Sequence, residues 1–226
     1  EQTLKRVENY VYNMKDLIGE GYSSKVYKTR KDGSTEVMAM KVITLKKQSS
    51  SNLEMLQEEI NILREIDHIN TIKCYDIFVT QTNCFIATEY CEGGDLYSHL
   101  KKNKLSIEDK YTIIRDVLKG YTHLFEHDII HRDIKPANIF LKGNVWKLAD
   151  FGFSKKASSI KTRESVNVGT PLYMPPEALL YNRYSVKTDI FALGVLFYEL
   201  LFGISPWHSR TEKELISKMT KQPLVI

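Results

Sequence analysis

His131-Arg132-Asp133-Ile134-Lys135-Pro136-Ala137-Asn138 is the stretch on which the reading of this chain turns. Asp150-Phe151-Gly152 follows a short distance on, and Pro175-Pro176-Glu177 lies further downstream. Upstream, Gly19-Glu20-Gly21-Tyr22-Ser23-Ser24-Lys25-Val26 forms a glycine-rich run. One octapeptide could arise by chance; four such elements in this order and at this spacing do not. A lone Asp or Asn in a loop is ordinarily a turn-maker. With both acidic triplets present that reading fails for Asp133, Asn138 and Asp150, and chemistry on phosphates becomes the better one.

Composition sets the frame. The 226 residues are 42% hydrophobic and 27% charged, ordinary for a globular protein with ample core-forming material. A net charge of +4 argues neither for a nucleic-acid binder nor for a membrane-surface protein. Lys46-Lys47, Lys101-Lys102 and Lys155-Lys156 are short, scattered pairs that read as solvated faces. Cys74, Cys84 and Cys91 are odd in number and sit in apolar segments, which fits reduced thiols rather than a disulfide framework. No apolar run approaches the roughly 18 residues that a bilayer requires. Glu1 to Arg6 has no secretory apolar region. The expectation is an intracellular, cytoplasmic protein, with a nuclear location equally compatible.

Patterning divides the chain. Tyr10 to Glu20, Lys25 to Arg30 and Glu36 to Ile43 read as strands, the last two joined by the turn Lys31-Asp32-Gly33-Ser34. Asn52 to Ile66 carries Leu53, Leu56, Ile60 and Leu63 at helical spacing, and strands follow at Cys74 to Thr80 and Cys84 to Tyr90. Cys91-Glu92-Gly93-Gly94-Asp95 breaks the pattern, and helices dominate beyond it. Ser106-Ile107-Glu108-Asp109 reads as a capping box opening a helix with Ile107, Ile114, Val117, Leu118, Tyr121 and Leu124 on one stripe. Lys187 to Phe202 is apolar nearly all round and predicts a buried helix; Thr211 to Met219 predicts a short one. The fold class is α+β: a small antiparallel sheet with one helix, a Gly-rich connection, then a mainly helical body, with a ligand cleft between the lobes.

The glycine-rich loop taken alone is weak. A hairpin needs glycine for positive φ anyway, although glycine also lets backbone N–H groups approach phosphate oxygens. Its strand–loop–strand setting rules out a dinucleotide fold, which needs strand–loop–helix. With Ala39-Met40-Lys41, the two acidic triplets and Gly169-Thr170-Pro171, however, the chain resembles the eukaryotic protein kinase family, Ser/Thr type, over essentially its whole length. Ser24 stands at that family's third glycine position, and Pro175 at its alanine before Pro-Glu.

The resemblance implies a two-lobed domain at 10–226, after an N-terminal extension at 1–9. The N-lobe would be 10–88, the hinge 89–95, and the C-lobe 96–226 truncated, lacking the family's last helices. It implies ATP and Mg2+ as cofactors and a protein bearing Ser or Thr as the acceptor. Lys41 would hold the α- and β-phosphates and pair with Glu59; adjacent Glu58 would point roughly 100° away on the helix. Asp133 would accept the proton of the acceptor hydroxyl, with Asn138 and Asp150 holding metal. Lys135 would neutralise the γ-phosphate, and Thr170 would contact both Asp133 and Lys135. Around the nucleotide the resemblance places Ile18, Gly19, Glu20, Gly21, Val26, Ala39, Thr88 (the gatekeeper), Glu89, Cys91, Asp95 and Phe140. His131 would stack with Phe151, and Asp189 would cap the catalytic-loop backbone.

Specificity and regulation follow as expectations. Lys135 and Gly169-Thr170-Pro171 imply Ser/Thr acceptors, and bulky Phe153 implies serine over threonine. Asp95 and Glu199 would offer acidic contacts to basic peptide residues, and Ala137 limits that preference. Phe153 and Leu172-Tyr173-Met174 look most like the ULK, NEK or calcium/calmodulin-regulated kinases. Arg132 would face a phosphate on the segment between Asp150 and Glu177, with Ser165 the best-placed acceptor and Thr162 the next. Two other classes compete. A pseudokinase would lack one of Lys41, Glu59, Asp133, Asn138 or Asp150, and all are present; a small-molecule phosphotransferase would lack a docking segment such as Gly169 to Glu177.

Overall fold

Tyr10 and Tyr12, Tyr27 and Thr29, and Met38 and Met40 are buried at every second position, the period of strands with one covered face. In the computed structural model, which describes residues 4–21, 23–46, 48–222 and 224, these lie in one antiparallel sheet. Its strands are β1 (Leu4–Val7), β2 (Tyr10–Glu20), β3 (Ser24–Lys31), β4 (Met38–Thr44), β5 (Cys74–Val79) and β6 (Asn83–Glu89). Their spatial order is β1-β2-β3-β4-β6-β5. The register sets Val26 opposite Lys41 and Ala39 opposite Thr88, so the residues expected around a nucleotide share one region of the sheet. The extension before Tyr10 supplies an element of its own: β1 pairs with β2 from Leu4↔Asn13 to Val7↔Tyr10. Tyr22 of the glycine-rich run lies outside the described residues.

Helix α1 (Ser50–Glu65) starts two residues before the expected Asn52, because Ser49 caps it by accepting from the Asn52 N–H at 3.2 Å. Beyond Glu89 come α2 (Leu96–Lys102), α3 (Ile107–Glu126), β7 (Ile129–Ile130), β8 (Ile139–Lys142), β9 (Val145–Leu148), β10 (Lys155–Lys156), α4 (Pro176–Tyr181), α5 (Val186–Phe202) and α6 (Glu212–Lys221). The Ser106–Asp109 capping box opens α3 as expected, with reciprocal bonds of 3.1 and 3.0 Å. Ser185 caps α5, and Gly203 ends it in the left-handed region at φ 76°. The expectation that α5 is buried all round is corrected. Ala192, Leu193, Val195, Leu196 and Leu200 are buried, but Ile190, Leu201 and Phe202 are exposed, because no described element covers that face. No helix among the described residues is long and apolar enough to cross a membrane.

One hydrophobic cluster joins the halves. It runs from Ile60, Ile62 and Leu63 of α1 through Phe151, Leu148 and Ile134 to Leu193 and Leu196 of α5. Each such side chain contributes about 1.5–3 kcal/mol when fully buried. A polar seam runs beside it. The Ile72 N–H donates to the Leu148 carbonyl at 2.8 Å, the Leu148 N–H to Asn70 at 2.9 Å, and the Asn70 side chain to the Trp146 carbonyl at 3.0 Å. Gly120 on α3 makes the close approach possible, since a Cβ there would sit 2.4 Å from the Asn70 carbonyl oxygen.

Candidate active site

Strand β4 carries Lys41 to the cleft, and the helical register of α1 turns Glu59, not Glu58, toward it. Lys41 Nζ meets Glu59 Oε1 at 2.6 Å and Asp150 Oδ1 at 3.6 Å. Burial works against charge on Lys41, yet the two carboxylates hold its ammonium above the ordinary range. Asp150 follows β9 with φ at 63°, in the left-handed region that a non-glycine residue occupies only when its surroundings enforce it. Burial pushes its pKa up, but Lys41, His131 and the Gly152 N–H outweigh that, so Asp150 stays below the usual carboxylate range. Its side chain is 53% exposed, a charged oxygen pair open to the cleft.

Between β7 and β8 the chain makes an irregular loop because a buried acid organises its backbone. Asp189, at the start of α5, accepts the His131 N–H at 2.7 Å and the Arg132 N–H at 2.9 Å. Burial pushes the Asp189 carboxyl up, against the pull of those donors. His131 bonds the Ala149 carbonyl at 3.1 Å, and its ring lies 5.2 Å from that of Phe151. Arg132 adopts φ 66°, which turns the next residue into a cluster of donors. Asp133 Oδ1 accepts the Thr170 hydroxyl at 2.7 Å, and Oδ2 accepts Lys135 at 2.8 Å and the Asn138 amide at 2.9 Å. Lys135 also donates to Thr170 Oγ1 at 2.8 Å. Three side chains thus converge on one carboxylate.

The remaining cleft residues come from both lobes. Ile18, Gly19, Glu20 and Gly21 lie at the β2–β3 tip, where the Gly21 N–H donates to the Ser24 carbonyl at 2.8 Å. Neither glycine has positive φ, so the turn does not require them for backbone conformation. Thr88, Glu89 and Cys91 form the connection, and Phe140 bridges Asp95. The Gly93 N–H donates to the Leu141 carbonyl at 3.0 Å, and the Leu141 N–H to Gly94 at 2.9 Å, so the connection is pinned to β8. Two acids expected near a ligand also bond within the fold. The Asp95 carboxylate caps α2, accepting from the Ser98 N–H at 2.8 Å and hydroxyl at 2.9 Å, and Glu199 accepts the Tyr173 hydroxyl at 2.6 Å.

The protein kinase domain family matches residues 12–226. The chain belongs to the protein kinase family. It is 36% identical over 215 residues to serine/threonine-protein kinase 36 of Pongo abelii, covering 94% of this chain and 16% of that protein. It is 35% identical over 224 residues to the serine/threonine-protein kinase Nek2 of Homo sapiens, covering 92% and 50%. With the serine/threonine-protein kinase atg1 of Dictyostelium discoideum the figures are 31% over 232 residues, 98% and 34%. The chain therefore spans half or less of the length of these relatives. Protein kinases use ATP and Mg2+. The donor set fits that pair: Asp150 is ionised and open, and Asn138 spends its amide N–H groups on Asp133, leaving its carbonyl oxygen to accept.

In this kinase the segment after Phe151 is ordered by contacts that sequence reasoning missed. β10 pairs with β7, and Lys156 reaches Glu65 of α1 at 2.6 Å. Thr162 and Ser165 are exposed, whereas Glu164 between them points inward to Lys155 at 3.2 Å. Arg132 differs from expectation. It is buried, its Nε donates to the Phe153 carbonyl, and its guanidinium lies 5.4 Å over the Tyr184 ring. The signal for Glu164 was present as a single acid within a basic loop, and nothing marked it as inward-facing.

Proposed function

We propose that the chain transfers the γ-phosphoryl group of ATP to serine and threonine hydroxyls of protein substrates. The observation that supports this most strongly is the Asp133 carboxylate, held by Thr170, Lys135 and Asn138 beside an ionised Asp150. Asp133 orients the acceptor hydroxyl and takes its proton as the acceptor oxygen bonds the γ-phosphorus, while the bond from that phosphorus to the β–γ bridging oxygen breaks and ADP leaves with that oxygen. Lys135 balances charge on the transferring group, and Lys41, fixed by Glu59, holds the remaining phosphates. Asn138 and Asp150 would hold magnesium, which would neutralise charge on the phosphate oxygens. Catalysis of this kind is positioning and charge stabilisation, which is what a preorganised cluster provides. Phe153 supports serine over threonine as acceptor. The free thiols of Cys74, Cys84 and Cys91 support a reducing, cytoplasmic setting.

The test is transfer of labelled phosphate from ATP with magnesium to casein or myelin basic protein, set against small alcohols and sugars. Label on serine and threonine of the proteins alone is expected. Label on small alcohols would identify a small-molecule phosphotransferase, and no label on any acceptor would leave a pseudokinase.

A further inference from the structure

Glu164, the lone acid between Phe151 and Glu177, is already held inside the fold. The Glu164 side chain is about one-tenth exposed, and Lys155 Nζ reaches its two oxygens at 3.3 and 3.2 Å. The Lys161 N–H donates to the same carboxylate at 3.0 Å. Its backbone is fixed as well: the Glu164 N–H donates to the Asn182 carbonyl at 2.9 Å, and the Asn182 side chain returns a 3.4 Å bond. Lys155 belongs to β10, whose partner β7 runs straight into the catalytic loop. Burial works against the charge on Arg132, and Glu164 is the foremost of the charges that restore it.

From Arg132 the contacts lead to the chemistry. Its guanidinium lies over Tyr184, whose hydroxyl bonds both the N–H and the carbonyl of Val168 at 2.8 Å. Gly169 comes next, so close to the Arg132 carbonyl that a Cβ there would sit 2.6 Å from it. Thr170 then donates to Asp133. Loosening Glu164 frees Lys155 and Arg132, and with them the segment that seats Thr170.

We propose that Glu164 is a positioning residue that holds the activation segment in its docked arrangement, in the place an added phosphate would take. Thr162 and Ser165 then need no modification for activity. A carboxylate brings one negative charge where a phosphate brings about 1.5 to 2, and one suffices for the charge-assisted bonds observed. The proposal rests on the kinase reading and replaces the phosphate expected from sequence.

The experiment compares the parent, Glu164→Gln, Glu164→Asp and the Thr162→Ala/Ser165→Ala double variant. All are treated with a broad Ser/Thr phosphatase, and mass spectrometry verifies that they are bare. The double variant and the bare parent are expected to stay within about twofold of the untreated parent. Glu164→Gln is expected to lose about tenfold or more in kcat with KM for ATP unchanged, and Glu164→Asp to recover part of that loss. Tryptic cleavage after Lys161 and Arg163 should quicken in Glu164→Gln alone. If Glu164→Gln fails to fold, Lys155→Met removes the partner of the same carboxylate and should show the same kcat loss. A bare double variant that loses about tenfold, or full kcat in Glu164→Gln or Lys155→Met, overturns the proposal. A parent that transfers no phosphate refutes the kinase reading instead. In that case unchanged tryptic cleavage in Glu164→Gln overturns the positioning role, and faster cleavage upholds it.

Discussion

Lys147 and Glu89 meet at 2.9 Å with each side chain only 6% exposed. Lys147 stands on β9 just before Asp150, and Glu89 ends β6 where the lobes connect. Lys147 also donates to the Ile69 carbonyl at 2.7 Å, and Glu89 accepts the Lys73 N–H at 2.7 Å. The pair therefore fastens the connection to the C-lobe from beneath. Removing Glu89 strands Lys147 in the interior, at a cost of about 3–5 kcal/mol, and removing Lys147 leaves Glu89 only the more exposed Lys142 as a charged partner. Lys147→Met is expected to lower the melting temperature and raise KM for ATP. Lys142→Met, which removes the more exposed 3.3 Å partner of Glu89, should cost about 1 kcal/mol or less. Equal melting curves for the two variants would show that the buried pair does not hold the connection.

Asp133→Asn is expected to abolish transfer while leaving ATP binding nearly intact, since the residue acts on the acceptor. Loss of the base accounts for about 10²–10⁴-fold, and disruption of the Thr170 and Lys135 bonds adds to it. Lys41→Met should also remove activity, but by misplacing the phosphates, so its defect should include ATP affinity. Nucleotide titration alongside single-turnover transfer separates the two; normal turnover in Asp133→Asn refutes its role.

Two helical glycines should respond oppositely to alanine. At Gly194 on α5 a Cβ meets nothing within 4 Å, so Gly194→Ala should gain about 0.5–1 kcal/mol from helix propensity. At Gly120 the Cβ would strike backbone at 2.4 Å, and the strain of about 1–3 kcal/mol outweighs that gain. Chemical denaturation midpoints should move up for the first variant and down for the second.

Burial pushes the Cys74 and Cys84 thiols up to about 11 and Cys91 up to about 12. The thiolate is the reactive form, so raised values mean slower alkylation. At pH 8 an ordinary thiol is roughly 10% ionised and these about 0.1% or less. Iodoacetamide should leave all three unmodified in folded protein at pH 8, with the rate climbing about tenfold per pH unit up to about pH 11 while the fold survives. Rapid labelling of Cys91 at pH 8 in native protein would contradict this.

The chemistry was legible because it constrains residue type. Asp133, Asn138 and Asp150 can hardly be replaced in their tasks, and the choice of Glu59 over Glu58 came from the register Glu59-Ile60-Asn61-Ile62-Leu63 that the resemblance supplies, helix geometry adding only that the two point apart. The ends of α1 were blurred because Ser49, Ser50 and Ser51 are equally good caps. Strand β1 was invisible: Leu4-Lys5-Arg6-Val7 has no buried face, and only its pairing with β2 makes it a strand. Strands β7 and β10, two residues each, carry no period at all. The partners of Arg132, Glu199 and Lys147 were illegible for a different reason. Each is a charge whose mate lies far along the chain, and composition does not say which charges turn inward.

The seam from Asn70 to Ile72, bonded to β9, and the 90–95 connection, bonded to β8, are two places where backbone hydrogen bonds tie the sheet lobe to the helical lobe. Two fixed points define an axis. Opening of the cleft by rotation about the line joining them would leave both ties unbroken, like a door on a pair of pins. Strands β5 and β6 stand beside that axis, and β2 and β3 lie strands away across the sheet. In such a rotation Glu89 and Lys73 would barely travel, while the glycine tip at Gly19 to Gly21 would sweep a wide arc.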